Sequence, residues 1–60
     1  MPSGLPRDPV MLLSVINTKL RDYYPSLDAL CDDMHIDRKE LSDRLDLIDY
    51  AYDVGRNQFV

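Results

Sequence analysis

The chain has 60 residues, 45% of them hydrophobic and 30% charged, with a formal net charge of −4. This composition is that of a globular domain, since a disordered chain of this length would be poorer in Leu, Ile, Val and Tyr. So short a chain has no room for a deep pocket, and its negative charge disfavours loose attraction to nucleic acid and anionic lipid. The single cysteine, Cys31, cannot close an intramolecular disulfide, which favours a reducing, cytoplasmic setting. The longest apolar run, Val10 to Leu13, is too short to span a bilayer.

Residues 1–7 carry two Pro, a Gly and a Ser, which predicts a flexible lead-in to a single domain at residues 8–60. Asp8 and Pro9 indicate the start of a first helix that runs to about Asp22. Its predicted core face consists of Leu12, Ile16, Leu20 and Tyr23, widened by Leu13 and Tyr24. Met11 and Val15 lie on a neighbouring face, and we expect packing under the C-terminal segment rather than an exposed dimer contact.

Pro25 ends the first helix, and Ser26 is placed to cap a second one. That helix has its apolar residues at Leu27, Leu30, Cys31 and Met34. Asp37 and Glu40 have the spacing of a capping box, and Ile36 is placed as a hydrophobic staple toward Leu41. The third helix is then predicted to continue through Leu41, Leu45 and Ile48. The connection from His35 to Asp37 is so short that the second and third helices should cross steeply, as in a helix-turn-helix.

After Ile48 the hydrophobic period changes, because Tyr50, Tyr52 and Val54 alternate with other residues. A turn signal at residues 55–57 then precedes Gln58, Phe59 and Val60. We therefore predict a hairpin that folds Tyr50, Tyr52 and Phe59 onto the helices, with Tyr24 or Tyr52 partly exposed. The predicted fold class is mainly α, a three-helix helix-turn-helix core with a C-terminal β-hairpin, similar to a small winged helix.

Few residues suggest chemistry. His35 lies near Asp32, Asp33 and Asp37, but the spacing fits no zinc or loop pattern, so we interpret it as a turn residue with left-handed backbone geometry. Cys31 is expected in the core, because reactive thiols need an electropositive setting. One histidine does not supply a base, a nucleophile and an oxyanion donor. We expect no enzyme activity, cofactor, metal or small-molecule substrate.

The charge of the chain and its predicted helix-turn-helix geometry favour different binding partners. The segment from Asp28 to Asp53 holds nine acidic and three basic residues, although a helix-turn-helix would present its third helix to DNA. The candidate partner-binding residues are Arg38, Lys39, Glu40, Ser42, Asp43 and Asp46. Our leading hypothesis is a non-enzymatic module for protein-protein interaction or self-association through this acidic surface. The alternative is a winged-helix-like regulator that binds nucleic acid through Arg38, Lys39 and Arg44, for example as a dimer. The acidic charge of the segment disfavours this alternative.

The segments DPVMLLSVINTKLRD, SLDALC and IDRKEL, followed by YAYD and NQFV, resemble in their joint order a family of very short bacterial proteins. That family is known only as a domain of unknown function, and the likeness covers nearly all residues from Leu5 to Val60. The resemblance implies a bacterial, cytoplasmic setting and assigns no site. The family often has Gly where this chain has Asp49, at the exit from the third helix. At the level of the fold the chain also resembles winged-helix domains, whose apolar positions are taken by Leu30, Cys31, Met34, Ile36, Leu41, Leu45 and Ile48.

Overall fold

The computed structural model describes residues 5–60 as three helices followed by a two-stranded antiparallel hairpin, which confirms the predicted mainly helical class. Helix α1 spans Pro9–Asp22, α2 spans Leu27–Met34, α3 spans Arg38–Asp46, β1 spans Tyr52–Asp53 and β2 spans Gln58–Phe59. Helix α1 packs against both other helices and against β2. Residues 1–4 of the predicted lead-in lie outside the described residues.

Each helix begins at the capping residue predicted from the sequence. The carboxylate of Asp8 accepts from the amide of Val10 at 2.9 Å, and Pro9 follows in the first helical position. The hydroxyl of Ser26 accepts from the amide of Ala29 at 3.1 Å at the start of α2. These bonds satisfy amides that have no partner inside the helix, so the caps fix where the helices start.

Helix α3 is capped at Asp37, but only half of the predicted capping box forms. The Asp37 carboxylate accepts from the amides of Lys39 and Glu40 at 2.9 and 3.4 Å. The Glu40 side chain lies instead 3.7 Å from the guanidinium of Arg44, one turn along the helix. An Asp cap alone satisfies the first free amides of the helix, and Glu40 remains on the surface.

The core is built from one face of each helix and from β2. Its buried members are Leu12, Ile16, Leu20, Leu27, Leu30, Cys31, Leu41, Leu45 and Phe59. Leu5, Leu13, Met34, Ile36 and Ile48 are partly buried against them, so the predicted staple residue and part of the lead-in pack on the domain. The predictions for Cys31 and, apart from Tyr23, for the i, i+3, i+4 stripes of the helices are therefore confirmed.

Two expectations for α1 are wrong. Tyr23, predicted on the core face, is 73% exposed, because α1 ends at Asp22 and its cap residue leaves helical geometry. Its ring instead lies 5.9 Å from the ammonium of Lys19. Met11, expected to pack, is exposed, whereas Val15 is half-buried.

Helix α3 ends at Asp46, two residues before the predicted Ile48. The amide of Tyr50 donates to the carbonyl of Leu45 at 3.1 Å and that of Asp49 to the carbonyl of Asp46 at 3.0 Å. This is the hydrogen-bond pattern of a Schellman motif, which requires a left-handed residue after the helix. Asp49 supplies it with φ 63°. His35 has φ 56° after α2, as expected for that turn.

The hairpin is shorter than predicted, and Asn17 closes its outer edge. Tyr50 and Val54 are exposed and lie outside β1. Ala51 and Val60 donate to and accept from each other through their backbone groups. Hydrogen-bonded and non-hydrogen-bonded pairs alternate in an antiparallel ladder, so the next pair, Tyr52 and Phe59, is not hydrogen-bonded. The amide and carbonyl of Phe59 therefore point away from β1. The carboxamide of Asn17 on α1 pairs with both groups, accepting from the Phe59 amide at 2.8 Å and donating to its carbonyl at 3.1 Å.

A second asparagine joins the hairpin to both ends of the α1–α2 connection. Asn57 has φ 52°, and its amide nitrogen donates to the carbonyls of Leu20 at 3.1 Å and Tyr24 at 2.9 Å. Its oxygen accepts from the Tyr52 hydroxyl at 2.6 Å, which in turn accepts from the amide of Leu27 at 3.2 Å. This network satisfies carbonyls near the end of α1 and an amide at the start of α2.

Candidate functional site

The outward face of α3 carries the candidate residues predicted from the sequence. Lys39, Glu40 and Asp43 line one shallow depression of about 440 Å³, together with Asp37, Arg44 and Leu47. Arg38 and Ser42 do not line this depression, and Ser42 is half-buried. Asp46 lies one helical turn beyond Asp43 and is exposed. The structure therefore brings half of the six predicted residues into one depression.

Every basic side chain of α3 has an acidic neighbour. Lys39 donates to the carboxylate of Asp43 at 2.9 Å, and this hydrogen bond raises the pKa of Lys39. Arg44 lies 3.7 Å from Glu40. Arg38 donates to Asp28 on α2, and its guanidinium carbon lies 5.8 Å from the centre of the Tyr52 ring. The three cations are thus engaged within the domain.

Asp46 and Leu47 take no part in the ion pairs of α3. Among residues 5–60 no cation lies within salt-bridge distance of Asp46, which is the last residue of α3. A carboxylate at this end opposes the helix dipole, so the charge does not help the helix. Leu47 is 77% exposed and forms the apolar part of the depression. We call Asp37, Glu40, Asp43, Asp46 and Leu47 the acidic surface.

Helix α2 extends the negative charge beside α3. Asp28, Asp32 and Asp33 are all exposed on it. Asp33 accepts from the hydroxyl of Tyr24, and this hydrogen bond raises the pKa of Tyr24. Tyr24 and Tyr52 are both half-buried, whereas Tyr50 is exposed and does not fold onto the helices as predicted.

The residues considered for chemistry do not converge. Among residues 5–60, no three His, Cys, Asp or Glu side chains are placed to hold a metal ion. Cys31 is buried, and burial raises the pKa of its thiol. In the same part of the chain, no helix has both the length and the apolar character to cross a bilayer.

A larger depression lies on the other side of the domain, and the sequence did not indicate it. It has a volume of about 500 Å³ and separates α1 from the hairpin turn. Its polar lining comes from Ser14, Asn17, Thr18, Arg21, Arg56, Asn57 and Gln58. We call it the α1–hairpin cleft. The asparagines that fix its walls, Asn17 and Asn57, were also missed; the only signal was the turn propensity of residue 57.

Comparison with known proteins agrees with the resemblance seen in the sequence. The chain has no match among curated proteins or among solved structures. Residues 6–59 match the family described as "Domain of unknown function (DUF4250)", a description that assigns no activity. Because the match covers nearly the whole chain, the protein belongs to this family.

Proposed function

We propose that this protein is a small, non-enzymatic module that binds a basic surface of another protein through the acidic surface. The single observation that carries the proposal is the pair Asp46 and Leu47 at the end of α3. Asp46 has no cation within residues 5–60 and opposes the helix dipole, and Leu47 beside it is exposed. A charge and an apolar side chain that do nothing for the fold are typical of a binding surface.

The composition of the acidic surface favours a basic partner over a second copy of this chain. A symmetric dimer through this surface would place its carboxylates against the same carboxylates of the other copy. Like charges brought together in this way oppose binding, and the net charge of −4 adds to the repulsion. A partner with Lys or Arg around an apolar pocket would instead pair with Asp43 and Asp46 and cover Leu47.

We expect Asp46→Lys to reduce capture of the partner at least about tenfold, because it reverses the charge of the residue that precedes the exposed Leu47 in the chain. The protein would be immobilised and used to capture proteins from a lysate of its own host after nuclease treatment. Mass spectrometry would quantify each captured protein for the original chain and the variant. The fold should be unaffected, since a lysine suits the end of a helix better than an aspartate does.

Asp22→Lys is the matched control. Asp22 is also exposed and is also the last residue of its helix, α1, so the substitution makes the same change of charge on a different helix. The proposal requires a protein that is lost with Asp46→Lys and retained with Asp22→Lys. Equal retention by both variants would show that the acidic surface binds no protein.

One observation favours nucleic acid as a second candidate partner. Only residues 35–37 separate α2 from α3, a short connection that suits a helix-turn-helix, and Lys39 is exposed in the first turn of α3. If this is the function, bound material will disappear after nuclease treatment. Replacing Arg38, Lys39 and Arg44 together by Glu will then abolish DNA binding at low salt. The pairing of these three cations with carboxylates weighs against this candidate.

A further inference from the structure

We propose that the α1–hairpin cleft is a binding site for a small molecule that carries an oxyanion group, either a phosphate or a carboxylate. This site lies away from the acidic surface and does not depend on the function proposed above. Its volume of about 500 Å³ lies within the range of small-molecule sites.

The polar groups of the cleft select for an anion. Arg21 from α1 and Arg56 from the hairpin turn line it from opposite walls, and no carboxylate is among its lining residues. Their side chains are 73% and 72% exposed, so their guanidinium donors are accessible. The side chains of Ser14, Thr18 and Gln58 in the lining add further donors. Arginine is the side chain best suited to bind the oxygens of phosphate or carboxylate in pairs.

A carboxylate outside the lining lies beside each arginine. Asp22 accepts from Nε and Nη2 of Arg21 at 2.9 and 3.0 Å, which leaves the Nη1 donors for a ligand. Asp53 lies 3.8 Å from Nε of Arg56. The same carboxylate accepts from the backbone amide of Arg56 at 3.3 Å, which fixes the turn that presents the side chain. Because two hydrogen bonds already hold the Arg21 side chain, it loses less freedom when it binds a ligand.

The two walls are joined by hydrogen bonds, so the cleft is formed before any ligand arrives. Asn17 ties the middle of α1 to Phe59 of β2, and Asn57 ties the hairpin turn to the carbonyls of Leu20 and Tyr24. Leu20 also lines the cleft, although its side chain is almost completely buried in the core. A preformed site with a few convergent polar groups is the usual form of a ligand site.

The test is a titration of isotope-labelled protein, followed by nuclear magnetic resonance, with phenyl phosphate in one series and benzoate in the other. Sodium chloride keeps the ionic strength constant. We expect saturable shifts confined to amides around the cleft, with a dissociation constant on the order of 1 mM for a ligand of this size. Saturation by phenyl phosphate alone would identify phosphate esters, and saturation by benzoate would identify carboxylates; either supports the site.

Arg21→Gln and Arg56→Gln should each weaken binding about tenfold, because each removes a charged hydrogen-bond donor from one wall. Arg38→Gln is the control, since it removes the same charge from α3, outside the cleft. The three side chains are 49–73% exposed and none belongs to the core, so each variant should fold. Equal weakening by Arg38→Gln, shifts spread over the whole surface, or no saturable shift with either probe would overturn the proposal.

Discussion

Phe59→Ala is expected to destabilise the protein by about 3–5 kcal/mol, the usual cost of removing a buried phenylalanine ring. Phe59 is almost completely buried, and its ring centre lies 5.6 Å from that of Tyr52. A domain of this size has a total stability of about 3–9 kcal/mol, so the loss would unfold a large share of the molecules. Urea denaturation followed by circular dichroism would measure the change.

The matched control is Tyr23→Ala, which removes an aromatic ring that is 73% exposed. We expect it to change stability by less than about 0.5 kcal/mol, as surface substitutions usually do. Phe59→Leu should fall between the two, because it keeps part of the buried volume. If Phe59→Ala unfolded at the same urea concentration as the original chain, the ring would not be the element that joins β2 to the helices.

The contrast between these two aromatic residues shows how far the sequence predicts the core. Tyr23 follows Leu12, Ile16 and Leu20 at helical spacing, and the pattern alone places it on the buried face. The helix ends one residue before it, so the spacing no longer determines where its side chain points. Phe59 was expected on the helices because a hairpin that directly follows the third helix folds back onto them, and for this residue the prediction is confirmed.

The beginnings of the helices were the most predictable features of the fold. Asp8, Ser26 and Asp37 each cap a helix through bonds to amides two or three residues away. Such interactions depend on neighbouring residues alone, so the sequence contains all the information needed. The end of α3 also uses local bonds, but it depends on Asp49 adopting a left-handed conformation that few residues other than Gly favour.

The candidate sites were predictable only in part. Local charge indicated Lys39, Glu40 and Asp43, and the structure places them around one depression. The pairing of Arg38 with Asp28 was not predictable, because it joins two helices. The α1–hairpin cleft was missed because its walls come from opposite ends of the chain. Asn17 and its partner Phe59 are 42 residues apart in sequence, and no periodicity relates them.

Asn57→Ala is the second substitution with a large expected effect, about 3 kcal/mol. It removes the donors to the carbonyls of Leu20 and Tyr24 and the acceptor for the Tyr52 hydroxyl. Half-buried polar groups left without partners cost about 1–3 kcal/mol in total. It also places alanine at φ 52°, which adds about 1 kcal/mol that asparagine largely avoids. Urea denaturation would measure the loss.

Asn57→Gly and Asn57→Asp separate the contributions of backbone and side chain. Glycine accepts the left-handed conformation, so it should recover about 1 kcal/mol relative to alanine while the hydrogen bonds stay absent. Aspartate keeps the shape and an oxygen for Tyr52, but its second oxygen would face the carbonyls of Leu20 and Tyr24. That repulsion raises the pKa of the new carboxyl in the folded protein. The penalty should therefore be full at about pH 7, shrink as the pH falls through the raised pKa, and be smallest below about pH 4, where the protonated acid can donate. A penalty for Asn57→Asp that did not change between these pH values would mean that the two carbonyls do not depend on the Asn57 amide.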